Sequence, residues 1–529
     1  MTTVSSLRPL ATILISAGAV PAILASTRRP NVREAWTILA ALGQFALVTS
    51  LVPGVLSGTV YSTALGTFVS GISLVLRVDP LGLLFALLAS VLWTVASLYS
   101  IGYMRELSEH SQTRYFAAFA ASLSATIGIA FASNLVTLYV FYELLTVSTY
   151  PLVVHAETAE ARAAGRKYLA YTFGGGVAVL TGTIVIFWLT GTTAFTPGGI
   201  EAIANVDPVF GRIAFTLLAA GFGVKAALMP LHSWLPDAMV APTPVSGLLH
   251  AVAVVKSGVF GLARVVLYVF GPETVHSLGV GLPVAIVATG TLLIASVIAL
   301  RQDNLKRRLA YSTVSQLSYI VLGLSILSPA AIVGGLLHIV AHAFMKLTLF
   351  FCAGAIHVET HTDYISQMAG IGKRMPLTMS ALAIASAGMA GIPLFAGFVS
   401  KWYLLIGTVE VGGGLFAVSL LISGVLNIAY FWPIVYTAFF ESPDTADPKP
   451  ILEGPLGGRF TPARDGGIDH SEGPTVGDDW ESRGWAGSES TWFMLGPILV
   501  VAAGSVVLGV FPESTVFLRL IRLVLKTVI

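Results

Sequence analysis

The chain has 529 residues, of which 55% are hydrophobic and only 11% charged, with a formal net charge of +2. A soluble globular domain carries about 25% charged residues, so this composition cannot cover a water-facing surface and excludes a large soluble enzyme. The single cysteine, Cys352, excludes an internal disulfide and a cysteine metal cluster, and no glycine-rich nucleotide loop stands in a strand–turn–helix context.

Apolar stretches of the roughly 20 residues needed to cross a bilayer fall near 9–26, 35–56, 81–101, 115–132, 134–154, 168–190, 210–230, 242–270, 282–300, 310–327, 330–357, 377–398, 411–440 and 492–511. These fourteen predict an all-α polytopic protein of the cell membrane. The first stretch has only Arg8 ahead of it and no clear cleavage site, so it reads as a span and not as a secretory signal. The stretch 60–78 alternates Thr, Ser and Gly with Val, Leu and Phe, which predicts a short hairpin at the membrane surface.

Basic residues orient the spans. Arg28, Arg29 and Arg33 follow the first, Arg105 and Arg114 the third, and Arg162, Arg166 and Lys167 the fifth. Arg301, Lys306, Arg307 and Arg308 follow the ninth, and Lys373 and Arg374 the eleventh. The intervening loops are almost free of them, Arg77 and Arg212 being the exceptions. The odd-numbered loops are therefore expected inside, with both termini outside. Between the last two spans, 441–490 holds eleven acidic residues, four basic ones and nine glycines, a composition that suits a solvated cytoplasmic loop and not a packed core. The tail 513–529 sets Arg519, Arg522 and Lys526 among Leu, Ile and Val and reads as an amphipathic helix in the interface.

Several ionisable residues fall inside spans, where insertion of a central charge costs about 2.5–3.5 kcal/mol and marks a functional position. Glu143 sits mid-span in the fifth, and Lys225, mid-span in the seventh, is its natural partner; moving a carboxylate near or away from a desolvated lysine switches its proton affinity. Pro230 follows and must break that helix. In the eighth span His250 and Lys256 are six residues apart, so they do not share a helical face. In the eleventh, His338, His342 and Lys346 are spaced i, i+4, i+8 and form one polar stripe. No carboxylate lies between the two histidines and no third ligand is evident, so a proton relay is the better reading and no metal ligand is assigned. Pro393 and its glycine neighbours break the twelfth span, and Lys401 follows, echoing the seventh. Two interrupted segments in corresponding places point to an inverted-repeat transporter.

PLHSWLPDAMVAPTPVSGLLHAVAVVKSGVF at 230–260, FYELLTVSTYPLV around Glu143, AHAFMKLTLFFCAGAIHVETHT at 341–362 and GIPLFAGFVSKW at 391–402 resemble the antiporter-like subunits shared by Mrp-type multisubunit Na+/H+ antiporters and respiratory complex I, over about residues 70–440. The resemblance implies fourteen helices with two inverted five-helix repeats, at 115–270 and 282–440, and broken helices seven and twelve. Residues 1–114 would then be an N-terminal unit, and 491–529 the last helix and its tail. It also implies that Glu143 and Lys225 form a Glu–Lys pair, that Lys256 and Lys346 connect a central hydrophilic axis holding His250, His338 and His342, and that Lys401 stands near its exit. The function expected is that of an A-like or D-like member of an antiporter complex. Such a chain is a transporter component and not an enzyme, moves protons with Na+ as the exchanged cation, and has other membrane subunits as partners. No cofactor and no nucleic acid are expected. The alternative is a proton-pumping, non-redox subunit of a complex I-like oxidoreductase or a membrane-bound hydrogenase.

Overall fold

The computed structural model of the chain describes residues 2–69, 72–442 and 489–529, so that the acidic stretch 441–490 lies outside the described residues except at its two ends. In chain order the helices are α1 (Arg8–Ala25), α2 (Pro30–Leu56), α3 (Pro80–Glu106), α4 (Gln112–Phe131), α5 (Leu135–Val153), α6 (Ala159–Thr190), α7 (Pro208–Lys225), α8 (Thr243–Phe270), α9 (Gly281–Leu300), α10 (Leu305–Ile326) and α11 (Pro329–Thr360). They continue with α12 (Pro376–Ala390), α13 (Ala396–Glu410), α14 (Gly414–Phe440), α15 (Trp492–Val510) and α16 (Val516–Val528). Among the described residues 13 of these are long and apolar enough to cross a membrane. The twelfth expected span differs: it is the pair of 15-residue helices α12 and α13, the second running on well past the predicted boundary at 398.

Local chemistry sets the helix ends. Proline opens α2, α3, α7, α11 and α12, where its missing N–H is not needed. Side-chain caps from Asp79, Asn134, Thr158, Asn304 and Ser328 accept from backbone N–H groups in the first turns of α3, α5, α6, α10 and α11. Gly191 closes α6 and Gly391 closes α12, both in the left-handed region, at φ 70° and 90°.

The hairpin expected near 60–78 is present as strands β2 (Thr59–Val69) and β3 (Ile72–Val78), paired antiparallel. The sequence reading missed β1 (Thr2–Ser5), which adds to β2 in parallel; four residues offer too short a pattern to detect. This small sheet lies at one end of the bundle. There Asn134 Nδ2 donates to Ser73 O at 2.8 Å, and the 191–207 connection bonds to the end of α8 through Thr196 N–Tyr268 O (3.0 Å) and Ile200 N–Val269 O (2.8 Å). Arg77 and Arg212, the basic exceptions, donate at this end to the carbonyls of Phe195 and Leu278.

The other basic loops gather at the opposite end. Arg33 reaches Gln112, Arg105 pairs with Glu34, Arg114 pairs with Glu157, and Lys167 pairs with Asp237. The centre is α8 and α11, whose most apolar 18 residues are 100% and 94% buried, against 39% in α6 and in α14. Outer helices show apolar side chains such as Val177, Trp188, Leu421 and Val425 to the surroundings. A water-soluble protein hides such faces, whereas a bilayer accepts them, and the chain is a multi-pass membrane protein. The tail helix α16 is amphipathic as expected, with Leu518, Leu520, Ile521 and Val524 buried. It packs across α3 and α11 and so is seated on protein as well as facing outward.

Candidate ion pathway

Lys225 is the last residue of α7 and is fully buried. Its Nζ donates to Tyr142 O at 2.6 Å and lies 3.3 Å from the centre of the Tyr142 ring. Glu143 follows Tyr142 in α5, yet both of its carboxylate oxygens are buried without a hydrogen-bond partner among the described residues. They abut Gly176 of α6, where an added Cβ would collide with Oε1. The direct Glu143–Lys225 ion pair expected from the sequence is therefore not formed. Successive helical residues point about 100° apart, so a lysine arriving on the Tyr142 side meets a ring and a carbonyl while the carboxylate turns to α6.

The chain breaks where Pro230 demands it, after Lys225. Two side chains bond the backbone at the break: Trp234 Nε1 donates to Val224 O at 2.9 Å, and Met229 N donates to Thr291 Oγ1 at 3.1 Å. Gly258 of α8 sits on this break, its missing Cβ leaving room for the carbonyl carbon of Lys225 and for Phe222 O.

In α8, Ala253 N bonds Leu248 O five residues back at 2.9 Å, a single wide turn that contains His250. His250 Nδ1 lies 2.9 Å from Thr313 Oγ1, its ring is 4.9 Å from Phe350, and its Nε2 has no partner among the described residues. Lys256 and His250 make no direct bond, in line with their spacing. Lys256 Nζ instead meets His342 Nδ1 of α11 at 2.7 Å, and His342 Nε2 is likewise unpartnered among the described residues. One turn on, Lys346 Nζ donates to Ser312 Oγ at 2.5 Å and to Leu309 O at 3.1 Å. One turn back, His338 lies 6.2 Å from His342, ring to ring, and binds Ser400 Oγ and Gln316 Oε1, each at 2.8 Å. The polar stripe of α11 is thus present as expected, and all three of its members are fully buried. Gln316 Nε2 extends it to Asn427 Oδ1 at 3.0 Å.

Pro393 lies in the gap between α12 and α13. Lys401 of α13 turns back to donate to Met389 O at 2.6 Å, 4.7 Å from the Tyr319 ring. A carbonyl in the last turn of a helix has no intrahelical donor and carries the negative end of the helix dipole, so it suits an ammonium group. The candidate residues therefore form separated clusters and not a continuous hydrogen-bonded wire: Glu143 alone, Lys225 with Tyr142, the Lys256–His342 contact flanked by His250 and Lys346, then His338 with Gln316 and Asn427, and Lys401.

The sequence reading missed several polar partners. Ser312, Thr313, Gln316 and Tyr319 all come from STVSQLSY in α10, whose polar density was the available signal. It also missed Arg264, fully buried in α8 and bidentate to Asp79 at 2.5 and 2.8 Å, with the rings of Phe195, Phe260 and Tyr268 within 5.1 Å. Nothing in the spacing joins two residues that far apart. At the basic-loop end a cavity of about 870 Å³ is lined by Glu109, Lys167, Asp237, Lys306, His357 and Asp363, among others. Burial tends to raise the Asp363 carboxyl, but the hydrogen bond from His357 and the charges of His357 and Lys306 outweigh it and hold it below the usual range.

Residues 132–427 match the family model described as NADH:quinone oxidoreductase/Mrp antiporter, TM, and residues 66–116 match the complex I chain 5 N-terminus. The chain is 32% identical to NADH-quinone oxidoreductase subunit N of Desulforudis audaxviator over 455 residues, 84% of this chain and 83% of that one. It is 35% identical over 425 residues to the A/B component of a probable K(+)/H(+) antiporter of Rhizobium meliloti, covering 78% of this chain but only 42% of that longer protein. In fold it is similar to a chain of the Mrp complex from Dietzia sp., with TM-score 0.80, 21% identity and coverage of 99% and 98%. The chain belongs to the family of membrane subunits shared by NADH:quinone oxidoreductases and Mrp antiporters.

Proposed function

We propose that this chain is a proton-translocating subunit of a multisubunit monovalent cation/proton antiporter. The observation that carries the reading is the fully buried row of Lys225, Lys256, His342, Lys346 and His338, because ionisable groups are costly to desolvate and mark functional positions inside membrane spans. In this reading the segments 115–270 and 282–440 are two half-channels. Protons are taken up near Glu143 and Lys225, pass Lys256, His342, Lys346 and His338, and leave near Lys401, with waters bridging the gaps between clusters. Lys225 takes and releases its proton as the Glu143 carboxylate turns toward it or toward Gly176. The partners are other membrane subunits, and Na+ is the first cation to test.

A second reading is the proton-pumping membrane subunit of a redox-driven complex. It is favoured by the near-full-length match to the subunit N relative, where the antiporter relative is much longer than this chain.

The test is cation-driven proton movement in inverted vesicles carrying the whole complex, wild type beside Lys225→Ala. Dissipation of a pH gradient by Na+ or K+ in wild type, absent in the assembled variant, supports the antiporter. A gradient that responds only to a redox substrate, and still requires Lys225, assigns the second reading.

A further inference from the structure

Outside the buried axis, three ligand-type side chains converge where the α3–α4 connection meets the α5–α6 connection. Glu109, His110 and His155 each offer one donor atom, and these atoms lie within 4.8 Å of one another. Glu109 Oε2 is 3.5 Å from His110 Nδ1 and 3.8 Å from His155 Nε2. Ligands bound at 2.0–2.1 Å to one tetrahedral ion stand roughly 3.3 Å apart, so small side-chain rotations close the set.

The ring orientations fit. His110 Nε2 is 2.8 Å from His155 O. A carbonyl only accepts, so Nε2 carries the hydrogen, and in the neutral ring the lone pair on Nδ1 faces Glu109. A backbone carbonyl on the far nitrogen is a common way of fixing a metal-binding histidine's tautomer. The His155 side chain is 1% exposed, and neither of its ring nitrogens has a hydrogen-bond partner among the described residues. The Glu109 carboxylate and these imidazole nitrogens face a common point that a positive charge would fill. The nearby guanidinium of Arg114 does not supply it, being held by Glu157 and by His155 O. The His110 side chain is 49% exposed, which leaves a path for an ion and room for a water.

We propose that Glu109, His110 and His155 bind a zinc-class divalent cation, with water as the fourth ligand. Two imidazoles and one carboxylate suit such an ion, whereas Mg2+ and Ca2+ require oxygen ligands. The bound ion would tie the two connections together and place a positive charge at the rim of the charged cavity that Glu109 lines. The site is independent of which complex the chain serves.

The experiment strips the purified complex with a chelator and titrates it with Zn2+ against a competing fluorescent indicator. Wild type is compared with His110→Ala and Glu109→Gln, which change partly exposed side chains, and with His155→Gln. The expected result is one more Zn2+ held per complex by wild type than by each variant, with affinity at that site falling at least ~tenfold, and a tetrahedral Co2+ absorption band lost in the variants. Equal Zn2+ uptake and an unchanged Co2+ spectrum in His110→Ala and Glu109→Gln would overturn the site, whether or not His155→Gln assembles.

Discussion

Lys256 Nζ and His342 Nδ1 lie 2.7 Å apart across 86 residues of sequence, joining the two most buried helices of the bundle, α8 and α11. While Lys256 is an ammonium it only donates, so His342 accepts through Nδ1, and a proton shared by the pair belongs to both. Lys256→Ala and His342→Ala should each lower proton movement about tenfold or more. The double variant should be no worse than the more severe single one, because residues acting as a unit are not additive. Vesicle fluorescence assays of the four forms, normalised to assembled complex, check this; additive losses would mean that the two act separately.

The Tyr142 ring under Lys225 holds the ammonium group in place. A desolvated cation–π contact is worth about 2 kcal/mol. Tyr142→Leu should therefore leave that charge poorly held and slow transport by about ten- to thirtyfold, while Tyr142→Phe, which keeps the ring, should stay near wild type. The pH dependence of proton movement in the two variants separates loss of the ring from loss of the hydroxyl.

Gly176 allows the Glu143 carboxylate to rest against α6. Gly176→Ala would displace that flexible carboxylate without altering any charge. Transport is expected to change by several-fold with assembly intact, measured by the yield of solubilised complex. No change would show that Glu143 does not use this resting position.

The Asp79–Arg264 pair is structural in this reading. Removing one partner leaves an uncompensated buried charge and costs about 3–5 kcal/mol. Asp79→Ala or Arg264→Met should reduce the thermal midpoint of the complex sharply. The double variant should recover part of the loss, and transport per assembled complex should be little altered.

At the rim of the cavity, the Asp363 carboxyl is held low by His357 and Lys306. A depressed carboxyl adds stability above its unfolded value, about 3.9, and loses it as pH falls through the folded value. Asp363→Asn should thus lower the thermal midpoint slightly near pH 6–7, and the gap from wild type should close below about pH 4. The pair is 32% and 39% exposed at its two side chains, so the effect should stay under about 1 kcal/mol.

The membrane architecture was legible because span length and apolar run are local properties. Pro230 and Pro393 announced both breaks, since a missing N–H and a ring clash act wherever they occur. The i, i+4, i+8 stripe of His338, His342 and Lys346 was legible for the same reason: one regular helix carries it. Charge cost alone singled out Glu143, Lys225, Lys256 and Lys401 as unusual. Which group each of them meets was decided by the tertiary structure. Lys225 meets the ring and carbonyl of Tyr142 and not Glu143, because α5 turns adjacent residues to different neighbours. Arg264 found Asp79, and Glu109 found His155, only through helices brought together by packing. Composition and periodicity determine what must be buried, while partners distant in sequence are fixed only when the side chains of separate helices compete for the same space.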